Sequence, residues 1–496
     1  MIKVLNKIEK TQKNFWNGCV FHPTDAVEDA WGRRILDEMA ADGAIRTVRI
    51  YTMFEDIVYE GANGELCYDF RLSDLRLDYL TEKGYNLLLS YAGIPDCIAR
   101  NFTHKTSVSK NKTRYKGKMW NSSPPKDIAV WEEICFQYTR HIVERYGLER
   151  VKTWRCQCFN EADIGWFFMS ELSDDEEDER LRCQEYCKMY EAFERGVRRV
   201  SEEICIGGPA LAAKDGFLGA FLDFVKKKGL KLDFISVHHY GTQPEFLNDG
   251  TRPFCVANNL EKHQARMQVI RRHGFGDTPV VVDEWGMASA GFYNKEECPL
   301  LLARETEVFS AYFVKLIHEY VHSDFNLDGM MICLSGQHEM TEDFSGFRNF
   351  FTLHFIKKPI YNAFVLASKL HETLLNAVYA DKNLYVLPTK NGQGEYAVLL
   401  AYASEYFEED IPSIEEEICF EESVADKKIV VWRIDKQTTN PYRAYQKARV
   451  ENPNEEQWKV LQEEGRLKPA AILSGREKVT LQLSPNCTYL ITVTKE

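Results

Sequence analysis

The sequence predicts an α/β protein: a (β/α)8 TIM barrel followed by a C-terminal β-sandwich domain. From residue 18 to residue 377, short apolar runs alternate with longer amphipathic stretches and give eight strand-then-helix units. From residue 378 to residue 496 the helical spacing gives way to short alternating runs, which are typical of an antiparallel sandwich. The 496 residues also exceed the roughly 250–300 that one core usually supports. We therefore expect two domains.

The eight predicted barrel strands are short and apolar, and they lie at 18–21, 47–51, 86–91, 151–159, 204–207, 234–238, 279–283 and 329–334. Helices are predicted between them, for example at 28–42, 73–83, 127–146, 181–200 and 303–320. A doubly wound open sheet is the rival fold, but it would normally need fewer units. The predicted sandwich strands are 383–387, 396–402, 428–434, 477–483 and 488–493, interrupted by a helix-prone insertion at 452–464. Residues 1–17 form an N-terminal segment that we expect to pack on the sandwich.

The excess of acidic residues restricts the kinds of molecule that the protein can bind. With 62 basic and 75 acidic residues the formal net charge is -13, so we expect no nucleic-acid partner. The acidic runs 173–179 and 415–422 are interpreted as solvated faces or loops. No apolar stretch has the length of a membrane span or of a signal peptide, so we expect no membrane partner and a cytoplasmic location. The 14 cysteines, Cys156 and Cys158 among them, are then reduced core thiols.

Two glutamates stand at the ends of predicted barrel strands, where the active site of this fold lies. Glu161 closes the fourth strand and Glu284 the seventh, each after an apolar run. Either one alone could cap a helix or pair with an arginine. Together they fit glycosidic hydrolysis, in which one carboxylic acid protonates the leaving oxygen and the other attacks the anomeric carbon. Arg49, at the end of the second strand, is a candidate cation for keeping Glu284 ionised.

Strand alternation makes a metal site at two neighbouring histidines unexpected. Side chains of consecutive strand residues point to opposite faces, so His238 and His239 cannot both face one ion. We therefore predict neither a metal nor a cofactor. The same alternation puts Gln157 and Glu161 on one side of the fourth strand and Asn160 on the other, as far as the strand extends.

Four short motifs, in order, resemble glycoside hydrolase family 39, which contains β-xylosidases and α-L-iduronidases. They are Asn160-Glu161, Gly207-Gly208-Pro209-Ala210, Ser236-Val237-His238-His239-Tyr240, and Glu284 after Val280-Val281-Val282-Asp283. The stretches 73–99 and 440–469 look like the same parts of the family's β-xylosidases. The resemblance implies a retaining exo-glycosidase, most closely β-xylosidase-like, that acts on an oligosaccharide or glycoside by a two-glutamate double displacement. It also suggests a homo-oligomer, either a dimer or a tetramer.

The resemblance assigns roles to individual residues. Glu161 would be the general acid/base and Glu284 the nucleophile. Asn160 would bind the sugar 2-hydroxyl, and His238 would line the sugar subsite. Tyr240 and Arg49 would orient or ionise Glu284.

The chain departs from the β-xylosidase pattern at Tyr51, Ser90, Gln157, Ala162 and Ile332, where the family usually has His, Glu, Glu, Pro and Trp at or near these positions. Since several of these positions would contact the sugar, the reaction class is better defined than the glycone. An α-L-arabinofuranoside, an α-L-iduronide or a β-glucoside or galactoside remains an alternative. The net negative charge weighs against the iduronide. A barrel that binds carbohydrate without cleaving it is the alternative of a different class.

Aromatic residues near the strand ends could stack on sugar rings, since the apolar face of a pyranose packs on an aromatic face. We predict that Trp285, beside the expected nucleophile, lies in the site. Trp166 could also stack there, whereas core packing is the favoured interpretation for Phe167 and Phe168.

Overall fold

A computed structural model describes residues 1–21, 27–101, 103, 105–106, 120–173, 175–289, 293–334, 340, 342–407, 410–450 and 452–495. In chain order its strands are β1 (Ile2–Thr11), β2 (Gly18–Val20), β3 (Thr47–Tyr51), β4 (Val58–Glu60), β5 (Leu66–Tyr68), β6 (Asn86–Tyr91), β7 (Lys105–Thr106), β8 (Trp120–Asn121), β9 (Arg155–Cys158), β10 (Cys205–Leu211), β11 (Phe234–Thr242), β12 (Val280–Ala288), β13 (Leu327–Cys333), β14 (Thr373–Val378), β15 (Leu384–Lys390), β16 (Tyr396–Tyr402), β17 (Ile414–Phe420), β18 (Lys427–Ile434), β19 (Pro469–Leu473), β20 (Lys478–Leu483) and β21 (Cys487–Lys495).

The described helices are α1 (Ala30–Asp42), α2 (Arg71–Glu82), α3 (Ile128–Tyr146), α4 (Leu148–Val151), α5 (Glu176–Arg198), α6 (Asp215–Lys228), α7 (Pro244–Asn248), α8 (Ala257–Arg272), α9 (Glu307–His322), α10 (Pro359–Ala367), α11 (Pro441–Ala448) and α12 (Glu455–Glu464). Short 3₁₀ helices span Phe54–Asp56 and Pro299–Glu305.

Eight parallel strands close into a barrel in the order β10-β11-β12-β13-β2-β3-β6-β9, and each is followed by at least one helix. This confirms the predicted fold class. Alternate side chains of the strands divide between two environments. One set packs outward against the helices, and the other fills the lumen with apolar residues that include Leu88, Phe234, Val281 and Met331. The polar side chains of the lumen lie nearer the C-terminal ends of the strands, where a barrel carries its site.

Local signals explain where the barrel helices begin. Asp29, Asp127 and Asp175 each accept backbone N–H bonds at the start of α1, α3 and α5. Residues 175–179 of the acidic run therefore form the cap and the first turn of α5, and their carboxylates lie at the positive end of its dipole. Gly43 ends α1 with a φ of 65°, a conformation that a side chain would disfavour.

The remaining long strands form one sheet of nine, in the order β19-β18-β21-β16-β15-β14-β1-β17-β20. The sheet encloses its own apolar core, as expected for the second half of the predicted fold class. β1 lies inside it, antiparallel to β14 and parallel to β17, with Ile2 and Val4 buried in the core. The sheet already includes β14, which begins at Thr373, whereas the sequence analysis puts the boundary at 378.

The second acidic run, 415–422, falls mostly in a strand rather than a loop. β17 pairs antiparallel with β20, and Ile418 and Phe420 face the core. Glu415 and Glu417, on the opposite face, meet polar side chains of the partner strand: Lys478 Nζ lies 2.6 Å from Glu417 Oε1, and Gln482 donates to Glu415 Oε2 at 2.6 Å. The solvated acidic face was therefore predicted, but the strand that carries it was not.

The other sequence-based expectations concern cysteines and membrane spans. All cysteines carry free thiols and most are buried, including Cys156 and Cys158. Within the described ranges, no helix combines the length and the apolar character needed to cross a bilayer.

Candidate active site

A cavity of about 670 Å³ opens at the C-terminal ends of the barrel strands. Five residues of the predicted site, from four strand ends, line it: Tyr51, Glu161, His238, Tyr240 and Glu284. The structure thus brings together the polar residues that follow β9 and those on β3, β11 and β12.

An extra residue in β12 turns two consecutive acidic side chains toward the lumen. Val237 aligns with Val282, but His238 aligns with Glu284, so Asp283 forms a bulge. Asp283 Oδ2 lies 2.9 Å from Gln157 Nε2 and Glu284 lines the cavity, so both carboxylates face inward. Regular strand alternation would have turned one of them outward.

A fully buried arginine connects the strands of the site. Arg49 donates from Nη1 to Glu284 Oε1 and from Nη2 to Asn160 Oδ1, both at 2.6 Å. Its Nε lies 3.1 Å from both Ser90 Oγ and Asp283 Oδ2. One guanidinium on β3 therefore holds polar groups at the ends of three other strands, β6, β9 and β12.

The orientation of Asn160 follows from that contact. A guanidinium offers only donors, so the carbonyl oxygen of Asn160 must face Arg49. Asn160 Nδ2 then points elsewhere; it is buried and has no acceptor among the residues that the structure describes. An unsatisfied buried amide is costly, and a ligand hydroxyl would satisfy it.

Two tyrosines donate to Glu284. Tyr240 Oη lies 2.6 Å from Oε2 and Tyr51 Oη lies 3.3 Å from Oε1. Arg348, from the segment after β13, donates from Nη1 to Tyr240 Oη at 2.8 Å and also lines the cavity. The Tyr240 hydroxyl is thus held so that its proton points at Glu284.

These contacts determine the ionisation of Glu284. Burial alone would raise its pKa, but the charges of His238, Arg49 and Arg348 and the hydrogen bond from Tyr240 outweigh burial. The pKa of Glu284 is therefore well below its usual range, and the carboxylate is ionised at neutral pH.

For Glu161, the effects that raise the pKa outweigh those that lower it. Burial raises its pKa, the hydrogen bond and charge of His238 lower it, and the negative charge of Glu284 raises it; the net shift is upward. Glu161 Oε1 lies 2.6 Å from His238 Nδ1.

A turn follows the end of the strand that carries Glu161. β9 ends at Cys158, and Phe159 and Glu161 have φ values of 63° and 48°. This strained turn brings both Asn160 and Glu161 to the site, so the predicted alternation does not extend past the strand end.

His238 lies between three carboxylates. Burial opposes its protonation, but Glu284, Asp283 and Glu161 raise its pKa to about 10. One oxygen of each glutamate and one nitrogen of His238 lie within 4.8 Å of one another. An imidazolium has no lone pair for a metal, so the trio suits proton transfer better than metal binding. His239 points the other way, as expected, with Nδ1 3.4 Å from His263 Nδ1.

Four predicted substrate-binding residues do not line the cavity: Arg49, Asn160, Gln157 and Trp285. Arg49 and Asn160 bond each other, as described above. Gln157 is fully buried and donates from Nε2 to Ser90 Oγ and Asp283 Oδ2, so it supports the site from within the lumen. Trp285 is also fully buried, and its ring stacks on those of Phe313 and Phe364.

The prediction that Trp285 contacts the sugar is therefore corrected. After the bulge at Asp283, Glu284 faces inward and Trp285, the next residue, faces outward onto the helices. Of the aromatic residues considered for stacking, Trp166, which is 48% exposed, and Phe167, for which core packing is the favoured prediction, line the cavity. Phe168 is buried in the core. In β13, Cys333 lines the cavity, whereas Ile332 packs outward.

Three residues of the site were not found from the sequence: Asp283, Cys333 and Arg348. Asp283 had a usable signal, because it stands next to Glu284 in an apolar strand. Arg348 had none, since a single arginine in a loop matches no pattern.

Comparison with known proteins gives a consistent result. The model of the family described as Glycosyl hydrolases family 39 matches residues 2–474. The chain is 26% identical to a β-xylosidase of Caldicellulosiruptor saccharolyticus over 397 residues, which are 77% of this chain and 73% of that protein. It is 26% identical to an α-L-iduronidase of Canis lupus familiaris over 294 residues, 54% of this chain and 39% of that protein.

Among solved structures, a monomeric β-xylosidase from Caulobacter crescentus CB15 superposes with a TM-score of 0.82 and 18% identity, covering 100% of this chain and 99% of that one. At this identity the similarity shows the fold alone.

Proposed function

Because the chain belongs to glycoside hydrolase family 39 and is therefore a glycosidase, we propose that it is a retaining exo-glycosidase with Glu284 as nucleophile and Glu161 as general acid/base. A β-xyloside is the proposed substrate, since relatives of known activity include β-xylosidases. The observation that carries the mechanism is the pair of carboxylates, which have oxygens within 4.8 Å of each other and opposite pKa shifts.

The short separation supports retention of configuration. An inverting enzyme needs about 6.5–9.5 Å between its two carboxyl groups to admit a water, whereas a retaining enzyme has about 5–5.5 Å. In the first step the ionised Glu284 attacks the anomeric carbon, and Glu161 gives its proton to the departing glycosidic oxygen. The products are a glycosyl ester of Glu284 and the free leaving-group alcohol.

The second step uses the same groups with reversed proton flow. Forming the ester removes the negative charge of Glu284, which is one of the causes of the raised pKa of Glu161. The hydrogen bond from His238 remains and favours the ionised form of Glu161. Glu161 then takes a proton from a water that attacks the anomeric carbon, and Glu284 leaves as a carboxylate.

The unsatisfied amide of Asn160 supports the assignment of the sugar subsite. Its Nδ2 lacks a described acceptor, and its oxygen is held by Arg49, which also binds Glu284. We propose that Nδ2 donates to the sugar 2-hydroxyl, an interaction that strengthens in the oxocarbenium-like transition state.

An α-L-iduronide is the second candidate substrate. Arg348 lines the cavity near Glu284, and a guanidinium binds a carboxylate in bidentate fashion. The similarity to α-L-iduronidases agrees with this candidate. A panel of aryl glycosides with xylose, arabinofuranose, glucose, galactose and iduronate as glycones separates the candidates, and we expect the highest kcat/KM for the β-xyloside.

The mechanism is tested with Glu284→Ala and azide. We expect turnover of a reactive aryl glycoside to fall by at least roughly 10⁴-fold, because the nucleophile is missing. Azide fits the space of the carboxylate and should restore turnover, giving a glycosyl azide of inverted anomeric configuration, which NMR identifies.

Glu161→Ala is the matched variant. With azide it should give the azide of retained configuration, because azide then replaces the water of the second step. Near wild-type activity in Glu284→Ala would refute the assignment of the nucleophile.

A further inference from the structure

Three cations line one side of the cavity, although the protein as a whole is acidic. They are Arg252, in the loop after α7, and Lys262 and Arg266 on α8. Arg266 donates to the backbone carbonyls of His238 and Ala212, the latter at 2.9 Å. The cluster is therefore attached to the strand ends that carry the site.

Arg266 lies on the Glu161 side of the cavity, and Lys262 lies one helical turn before it on the same face of α8. His238, whose carbonyl Arg266 holds, bonds Glu161 through its ring. The backbone N–H groups of Ala212 and Ala213, which also line the cavity, donate to Asp163 at 2.9 and 2.7 Å, two residues after Glu161. A general acid stands beside the leaving-group oxygen, so under the proposed function this side receives the leaving group.

The carboxylates nearby do not neutralise all three cations. Asp215 lies 3.5 Å from Arg266 Nε. Arg252 Nη2 is 3.8 Å from the exposed Glu261, and its buried Nε has no acceptor among the described residues.

Lys262 has no carboxylate partner in the described part of the chain. Its Nζ donates to the carbonyl of Tyr240 at 2.7 Å. Burial and the positive charges of Arg266 and Arg252 lower its pKa to about 8, and no anion opposes that shift. Glu245, which also lines the cavity, accepts a hydrogen bond from Tyr293 at 3.0 Å.

We infer that the leaving-group side of the cavity is a binding site for an anionic substituent, a carboxylate or a phosphate, which Lys262 and Arg252 hold. A half-buried ammonium and a guanidinium without full charge compensation bind an oxyanion by charge-assisted hydrogen bonds. The inference rests on the proposed function for the direction in which the substrate lies. It assigns the substrate to glycosides with an acidic or phosphorylated leaving group.

The test uses aryl thioglycosides, which bind without being cleaved, built on the glycone that the panel selects. Their aryl rings carry a para carboxylate, a para phosphate ester or the neutral para carboxamide. Isothermal titration at pH 7 and low salt should give a Kd for an anion about tenfold or more below that of the carboxamide. Whether carboxylate or phosphate binds more tightly identifies the class of leaving group.

Single substitutions show which residues cause the preference for an anionic ligand. Lys262→Met and Arg252→Gln should each remove most of it, whereas Lys227→Met, an exposed lysine at the end of α6, should keep it. Equal Kd values for anion and carboxamide in the wild type would overturn the inference, and so would a preference that survives in folded Lys262→Met. If Lys262→Met does not fold, Arg252→Gln and a salt titration of the wild type decide, because an ionic preference must weaken with salt.

Turnover of the O-linked carboxamide reports the proposed function separately. An active enzyme without an anion preference overturns only the inference. An inactive protein that still prefers the anion retains the binding site and overturns the proposed function.

Discussion

Glu161 and Glu284 are both glutamates and line the same cavity, yet their surroundings give them opposite protonation states. Glu284 is close to the positive charges of Arg49, Arg348 and His238, which lower its pKa. For Glu161, burial and the charge of Glu284 outweigh the contact with His238 and raise the pKa. Such a pair of separated pKa values is the arrangement that acid/base chemistry at neutral pH requires.

The hydrogen bond from Tyr240 to Glu284 predicts a pH effect. It stabilises the carboxylate, so Tyr240→Phe should raise the pKa of Glu284. The nucleophile must be ionised, and the acidic limb of the kcat/KM profile should therefore move to higher pH. A hydrogen bond to a charged group contributes about 1.5–3 kcal/mol, which corresponds to a shift of roughly 1–2 pH units.

Tyr51→Phe is the matched control for that prediction. Its hydroxyl lies at 3.3 Å from Glu284, against 2.6 Å for Tyr240, so its removal should shift the limb less. A Tyr240→Phe profile with an unmoved acidic limb would contradict the assignment.

At the residue scale, the sequence revealed the two glutamates because a carboxylate after an apolar strand needs a reason to be there. It also indicated Arg49, at the end of a predicted strand. It could not reveal Arg348, because the contact of that residue with Tyr240 depends on how a loop folds over the barrel. The family resemblance identified Asn160, His238 and Tyr240, whose positions the structure then brought together.

Among the elements, β12 shows the limit of reasoning from periodicity. A strand with a period of two predicts which side chains face the lumen only while its register is regular. The extra residue at Asp283 changes the register inside the strand. Alternation therefore could not show that Asp283 faces the lumen together with Glu284. Trp285 was assigned to the site for a different reason, its position next to Glu284, and it packs on α9 and α10.

Measurements of stability and of substrate binding can distinguish the role of Trp285 from that of Trp166. Trp285→Ala should lower the stability of the barrel by about 3–5 kcal/mol, because it removes a fully buried ring. Trp166→Ala should change stability little and raise KM by roughly 2–10-fold, because a half-exposed ring that lines the cavity can stack on the substrate. Thermal unfolding and steady-state kinetics give the two values. A large loss of stability in Trp166→Ala with unchanged KM would contradict this division.

β17 shows a second limit among the elements. Its glutamates dominate the sequence, so the run does not look like a strand. The pattern becomes visible only once β20 supplies lysine and glutamine opposite them. Cross-strand partners that are more than sixty residues away cannot be recognised from local composition.

For the whole molecule, β1 links the start of the chain to the C-terminal sheet. It lies between β14 and β17, and Lys10 at its far end donates to the carbonyl of Val321 on α9. The ten-residue strand therefore contacts both halves of the protein. β1 thus forms part of the sheet of the C-terminal domain.

Substitutions at a buried and at an exposed position of β1 test its importance. Val4→Asp puts a charge into the sandwich core, where Val4 is 1% exposed, and should destabilise the protein by about 3 kcal/mol or more. Ile8→Asp, at a position that is 65% exposed, should stay within about 0.5 kcal/mol of the wild type. Urea unfolding followed by circular dichroism measures both. Equal stability of the two variants would mean that β1 is not needed by the sheet.

The contacts of Arg49 also bear on how the protein acquires activity as it folds. The residue comes from the second barrel strand, and it bonds groups at the ends of the third, fourth and seventh. No segment that lacks one of these strands contains the complete constellation, and the arginine is one of the charges that lower the pKa of the nucleophile. Recovered activity during refolding therefore reports closure of the barrel.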